Sequence, residues 1–571
     1  MKTTTLLIVF LIAYCFAFTQ NVGIGTIAPH PSAQLDITNS AKGLLIPRMN
    51  TSAIISISNP ANGLLVYDSV KNQLMVNMGS SAIPDWQTIV FKSGWNLNGN
   101  SNSNPETNFI GTTDSVPFII RAFNEKAGRI DVSSAGSTFL GYQTGNFNSG
   151  GANTAMGFRA LRYNTSGTQN IAIGNEALSN NISGSVNVAN GYYALYSNIS
   201  GSQNTGIGYQ ALVGNTSGNN NTAIGSLSLT NNKTGYSNVA IGAQALRFSS
   251  DKSNLVAIGD SALYNNGQSS PLPWQATANT AIGSKALFFN SNGSDLTATG
   301  YNSLYNNTSG VANAAYGSLS LQYNTTGSAN TAFGFSSLEI NQTGSYNTGI
   351  GAQALRFNNG SQYNTALGYR AANSYDIGWN NTVIGADADV SFDGQYNSIA
   401  IGNTATCPDN STVRIGNSAN WSYGGYANWT NISDGRYKKN IRENVAGLDF
   451  ILKLRPVTYQ MDVTSLSKKL EEGKGGQLHE TMKTAIAEKE RMIWTGFVAQ
   501  EVEASANETG FVFSGVDKPR NENGLYGLRY AEFVVPLVKS VQEQQQQIND
   551  LKKEIELLKE QNKLLVQLLK K

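Results

Sequence analysis

Apolar and polar positions recur with a fixed step through the middle of the chain. Gly stands at 141, 157, 174, 191, 208, 225, 242, 259, 283, 300, 317, 334, 351, 368, 385 and 402, and the step is 17 almost throughout. Gly141 to Gly157 is 16. Gly259 to Gly283 is 24, and the seven extra residues carry Pro271, Pro273 and Trp274 and are expected to stand out as a loop. The repeat reads Asn-Thr-Ala-Ile-Gly-x-x-Ala-Leu-x-x-Asn-x-Ser/Thr-Gly, as from Asn221 to Leu229. Leu follows the Gly by four residues in twelve consecutive repeats, and the residue before the Gly is usually apolar (Ile173, Ile224, Ile241, Ile282, Ile350). Both positions are expected to face inward. One repeat is too small to bury them alone, so stacked copies must share a core. Seventeen residues are too few for two helices with turns but suit two short strands with turns. The pattern predicts a parallel β-solenoid over residues 138–416.

Asn stands four residues before the Gly in twelve repeats, including Asn204, Asn221, Asn330 and Asn364. A ladder of side-chain amides that satisfies the turns of successive coils explains it. The competing reading, an Asn-Thr face for glycans or ice, is weakened where Ile171, Val188, Val239 and Val256 replace the Thr. Triplets such as Asn164-Thr165-Ser166 arise by composition in so Asn-rich a repeat, and no glycosylation is assigned to them.

The flanking segments follow other periods. Over 20–137, short apolar runs at Gly43–Pro47, Gly63–Asp68 and Pro117–Arg121 read as strands of a β-rich module. The end of the chain places Val534, Leu537, Val541, Gln544, Ile548, Leu551, Ile555, Leu558, Asn562, Leu565 and Leu569 at alternating steps of three and four. That is a coiled-coil seam over 534–571. Met1 and Lys2 precede an apolar run from Leu6 to Phe18, which reads as a signal peptide over 1–19 and is too short to span a membrane. Acylation at Cys15 is the competing reading, but Tyr14 suits a small-residue cleavage site poorly.

Composition narrows the function. Only 13% of residues are charged, and they number 15 in 1–140, 19 in 141–432 and 42 in 433–571. The last segment is a different material. A net charge of +2 supplies no field for nucleic acid. Two His and two Cys argue against a multi-ligand metal site or thiol redox centre, and no cofactor is expected. His479 reads as a surface residue. The acids Asp387, Asp389 and Asp393 cluster near the end of the repeats, where a turn, a calcium site or a glycosidase carboxylate pair are the possible roles.

Two families are resembled. The apolar-Ala-Ile-Gly signature of the repeats is similar to the β-roll of trimeric autotransporter adhesin heads, which implies association of three chains along the solenoid. In the last segment, Ser433-Asp434-Gly435-Arg436-Tyr437-Lys438, Leu454-Arg455-Pro456-Val457-Thr458-Tyr459, Gly496-Phe497-Val498-Ala499-Gln500-Glu501-Val502 and Leu528-Arg529-Tyr530 occur in that order. Together these blocks resemble the S74 peptidase family, the intramolecular chaperones that end phage tail spikes and fibres. The resemblance implies a small α+β domain over 433–533 that assembles the preceding trimeric β-structure and then cuts the Ile432–Ser433 bond, after a linker over 417–432. It also implies that Ser433 attacks Ile432, that Lys438 is the base, and that Asp434 and Arg436 support the loop or the oxyanion.

The residues bear on this chemistry directly. A Ser hydroxyl needs a base, and Lys serves when burial or neighbouring cations such as Arg436 and Lys439 lower its pKa. A separation of five residues requires a turn between Ser433 and Lys438, and Asp434-Gly435 is a turn signal. A charged, helix-prone insertion over 463–491 departs from the minimal family pattern. The reading is a secreted or surface-exposed, mainly β homotrimeric fibre or adhesin with a self-cleaving chaperone, which has no external substrate and meets a cell surface or glycan. A fibre with a retained, non-cleaving cap and a tailspike-like glycan-processing enzyme are the alternatives.

Overall fold

A computed structural model describes residues 21–89, 103–104, 106–133, 136–268, 270, 272–374, 376–472, 478, 480–521 and 524–570. The signal-peptide segment 1–19, Pro271 and His479 lie outside the described residues. Two compact units divide the chain at Gly111/Thr112.

In the first unit, Val22–Ile24 pairs in parallel with Leu35–Ile37. A four-stranded sheet follows, built from Arg48–Met49, Leu65–Asp68, Gln73–Asn77 and Trp86–Thr88. The helix Thr51–Ile55 is capped by the Asn50 side chain and closes over this sheet through Ile54, Val66 and Met75. The expected strand at Gly63–Asp68 is present, but that at Gly43–Pro47 is not. Leu44 and Leu45 are exposed there, and pairing starts only after Pro47, which lacks the N–H a ladder needs. Asp68 is buried and accepts from Thr51 Oγ1 (2.6 Å), Val70 N (2.9 Å) and Lys71 N (3.0 Å). Burial alone would raise its pKa, but these hydrogen bonds together hold it below the usual carboxylate value.

The second unit contains the solenoid. The antiparallel hairpin Phe118–Ala122/Glu125–Ile130 leads into it, and from Thr138–Leu140 to Val413–Ile415 successive coils contribute one three-residue strand each to a parallel row. There are seventeen such strands among the described residues, and at about 4.8 Å per strand the row is about 75 Å long. Pairing is in register with the repeat: Ile171, Ala172 and Ile173 meet Val188, Ala189 and Asn190, and so on upward.

Two expectations about the coil need correction. Side chains alternate across a strand, and a three-residue strand has one inward position. The small central residue takes it (Ala172, Ala223, Ala240, fully buried), while the apolar residue before the Gly points out; Ile224 is 37% exposed. The interior is therefore lined by this Ala, by Ala three residues after the Gly, and by the Leu one further on, all packed in one continuous cluster. A second strand per coil is also absent from most of the solenoid. After the Gly the chain alternates into the left-handed region, as at Arg159 (φ 54°) and Leu161 (φ 51°), and this breaks strand geometry. Backbone groups on that side still bond from coil to coil: Leu161 N donates to Ala177 O (3.0 Å) and Leu178 N to Ala194 O (2.9 Å). Among the described residues, only Asp389–Val390 and Thr406–Cys407 form a second parallel pair of strands.

A buried Leu in the left-handed region costs about 1–2 kcal/mol. Its burial, worth about 1.5–3 kcal/mol, offsets that cost. The Gly has no alternative: at Gly174 a Cβ would lie 2.5 Å from Gly191 O, with φ at 128°.

The Asn residues form not one ladder but two, both fully buried. In the first, Asn187 N donates to Asn170 Oδ1 (3.0 Å) and Asn187 Nδ2 to Gly201 O (2.9 Å). In the second, seven residues after the Gly, Asn181 Nδ2 donates to Asn164 Oδ1 (2.6 Å) and Gly184 O (2.8 Å). The 24-residue step holds a turn-rich excursion after Asn266 that carries an exposed Trp274 and is tied down by buried Lys252, whose Nζ donates to Leu272 O (3.0 Å).

Beyond the solenoid, residues 421–434 have no regular structure. A small α+β domain follows around Phe450, Val502, Ala506 and Phe533, and the 36-residue helix Val534–Leu569 ends the described chain. No helix among the described residues is long and apolar enough to cross a membrane.

Candidate functional site

The chain turns at Gly435–Tyr437, a short 3₁₀ helix whose entry is capped by Asp434, with Arg436 N donating to its Oδ1 (2.9 Å). The turn folds Lys438 back over Ser433, and Lys438 Nζ lies 2.7 Å from Ser433 Oγ. Arg436 does not face Lys438. Its guanidinium forks onto Asp434 through Nη2 (2.6 Å) and Nε (3.0 Å), which holds the Asp434 carboxyl below and the Arg436 guanidinium above their ordinary pKa values. Ser433, Arg436 and Lys438 are exposed, and Ile432, on the other side of the candidate bond, is 92% exposed. The four predicted residues are thus within one loop, with the hydroxyl and amine in contact and the acid and guanidinium paired beside them.

The other three blocks build the domain behind this loop. Val457–Tyr459 pairs antiparallel with Trp494–Gly496. Arg455 Nε donates to Glu501 Oε2 (3.0 Å), and this bond holds the Glu501 carboxyl below its usual range. Tyr530 Oη accepts from Phe497 N (3.1 Å), so the last block is bonded to the third. Leu454, Phe497 and Leu528 pack on the Phe450 core. The second, third and fourth blocks are therefore partners of one another, while the first carries the Ser433–Lys438 contact within its own turn.

Elsewhere, Asp387 pairs with Arg370 (3.4 Å) and Asp389 Oδ2 accepts from Ser374 N (3.0 Å), both within the last coils of the solenoid. Among the described residues no group of three or more His, Cys, Asp or Glu is placed to hold a metal ion. Cys407 is free and buried.

Sequence reasoning missed a second polar cluster. Glu472, 6% exposed, accepts from Ser418 N (2.7 Å) and Ser418 Oγ, and Lys489 Nζ donates to Ser418 O (2.7 Å) and Asn420 O (2.6 Å). Burial lowers the Lys489 pKa, opposed by the Glu472 charge. The charge run over 463–491 was the signal, but not the partner.

Two parts of the chain match known families. Residues 433–511 match the chaperone of endosialidase, the S74 peptidase family, and residues 23–104 match the phage tail like trimerisation region. Among curated proteins and among solved structures nothing matches the chain. A trimerisation region, a long parallel β-solenoid and an endosialidase-type chaperone in one chain fit a trimeric, tail-fibre-like protein with a carboxy-terminal chaperone.

Proposed function

We propose that this chain is a secreted homotrimeric fibre whose carboxy-terminal domain aligns three copies and then cuts the Ile432–Ser433 bond in cis. The observation that carries the reading is the Lys438–Ser433 contact at 2.7 Å, at the residue where the chaperone-family match begins. The step balances without a cofactor. Neutral Lys438 takes the Ser433 hydroxyl proton as Oγ attacks the Ile432 carbonyl carbon, the Ile432–Ser433 C–N bond breaks, and the proton passes to the leaving amine of Ser433. Water then hydrolyses the ester left between Ile432 and Ser433 Oγ, freeing the Ile432 carboxylate. Asp434 and Arg436 fix the loop through their ion pair and act as positioning residues. Ser433 and Lys438 are exposed in the single protomer, and neighbouring copies would close over this loop in the trimer.

Assembly is supported by two apolar faces left open on the protomer. One is the outward row of Ile224, Ile241, Ile258 and Ile282 along the solenoid sheet; the other is the seam of Leu537, Val541, Ile548, Leu551, Ile555 and Leu558 on the terminal helix, which reads as a three-stranded coiled coil. Helices that pair first set the register for slow, non-local β pairing. A surface or glycan ligand would meet the fibre's outer faces.

Purified full-length protein beside Ser433→Ala and Lys438→Ala, read by intact mass and amino-terminal sequencing, tests the reading. A wild-type fragment starting at Ser433 with both variants whole supports it. An uncut wild type contradicts the self-cleavage and leaves the domain as a retained cap.

A further inference from the structure

The described residues of the 463–491 insertion, 463–472, 478 and 480–491, do not all extend into solvent as a charge run ordinarily would. They fold into two helices, Val463–Lys469 and Glu480–Glu490, and these close on residues 418–420, immediately after the last strand of the solenoid, Val413–Ile415. The contact has an apolar floor in which Ala419 packs with Val463, Met482 and Ile486. It has a polar rim in which Ser418 is gripped at every polar group it owns: its N–H and hydroxyl by the Glu472 carboxylate, and its carbonyl by the Lys489 ammonium. Ser418–Asn420 is in turn anchored to the final coils, since Asn417 Nδ2 donates to Asn403 O (2.9 Å) and Asn417 N to Asn420 Oδ1 (2.6 Å). Thr404 of that coil reaches Met482 Sδ at 3.7 Å. A second bridge stands apart from the first, from Asn521 Nδ2 to Asp409 Oδ1 (3.1 Å).

The contacts made by Glu472, Lys489, Met482 and Asn521 each join a residue before Ile432 to a residue after Ser433. Breaking the bond between them removes none of the contacts, because residues 421–432, which lead to it, are exposed and take no part. Charge-assisted hydrogen bonds are among the stronger non-covalent links a protein makes, and those between buried Glu472 and buried Ser418 are shielded from water, with Lys489 half-buried beside them.

We propose that the 463–491 insertion is a clasp that holds the carboxy-terminal fragment on the end of the solenoid after the chain is cut, so that the processed protein is a nicked complex capped by its own chaperone. This rests on the self-cleavage reading, but the clasp can be tested without it. In a Ser433→Ala background, a site-specific protease sequence is placed at Gly424–Gly425 in the exposed linker, the full-length protein is cut there, and the product is passed over a native sizing column. Cut protein with the clasp intact should elute as one species, with both polypeptides seen only on a denaturing gel. Glu472→Ala/Lys489→Met, which removes the grip from the chaperone side, and Ala419→Arg, which blocks it from the solenoid side, should each release the fragment at least tenfold faster. Either variant that elutes like its parent before cutting is decisive alone. A fragment that leaves the parent at once overturns the proposal, and so does one that stays bound in the variants. Failure of wild type to cut itself, read separately on a denaturing gel with Ser433 restored, would count against the cleavage reading and leave the clasp standing.

Discussion

The solenoid and the segment that follows it solve opposite problems. Within the coils, buried polar groups find partners one coil away: an Asn amide meets the next Asn, and a turn carbonyl meets an amide hydrogen, so the shape is fixed inside a single chain. Over residues 421–444 almost nothing is buried, Ile432, Tyr437 and Ile441 stand in solvent, and the Ser433–Lys438 contact is held only by a one-turn helix. The difference teaches where each region gets its order. The solenoid carries its own, whereas the loop before the chaperone is held by local contacts alone.

The comparison breaks most visibly at a repeat glycine. Gly225→Val should unfold the coils around it, because φ is 133° and a Cβ would meet Gly242 O at 2.5 Å. Strain and overpacking together should cost about 3–5 kcal/mol, read by thermal unfolding of the full chain. Ile241→Lys, also in the solenoid, should act on association between chains and not on the coil. The residue faces outward, so the coil should keep its circular dichroism while three like charges at one level weaken the assembly, seen as a loss of trimer in native mass measurements.

A smaller effect tests the amide ladders. Asn221 bonds Asn204 and Gly235 and accepts from Asn238 N. Asn221→Ala should cost about 1–3 kcal/mol by orphaning the Asn238 N–H and taking from the Gly235 carbonyl one of its two amide donors, the other being Asn232 Nδ2. Asn221→Leu should cost less than Asn221→Ala, because Leu255 and Leu296 occupy the same place in other coils and are fully or almost fully buried. Equal costs would show that the lost amide hydrogen bonds, and not the space the side chain fills, set the penalty there. The smallest effect is on pH. Asp68 has its carboxyl held below the usual value, so its contribution is complete above the unfolded value near 4 and is lost as pH falls through the lowered folded value. Asp68→Asn should flatten that acid limb in a pH series of thermal midpoints.

The period of the solenoid was legible because every coil repeats the same backbone solution, and a repeated solution leaves a repeated sequence. Which residue faces inward was not. In Thr222-Ala223-Ile224 hydrophobicity favours the Ile, but the coil has room for the Leu of each turn and only a small residue opposite it. The second Asn ladder was present in the repeat formula and went unread, since a residue seven after the Gly belongs to a turn whose partners lie in the next coil. The candidate dyad was legible because Ser433, its turn and Lys438 lie within six residues. The clasp was not, because Ser418 is 54 residues from Glu472 and 71 from Lys489, and no local pattern encodes a contact between them.

The most direct test of the trimeric, self-processing fibre is the mass of the purified wild-type protein measured twice, under native and under denaturing conditions. The expected result is a native species with three copies of the solenoid chain, and a denatured sample that resolves into one polypeptide ending at Ile432 and one starting at Ser433. A single unbroken polypeptide, or a native mass of one copy, would contradict it.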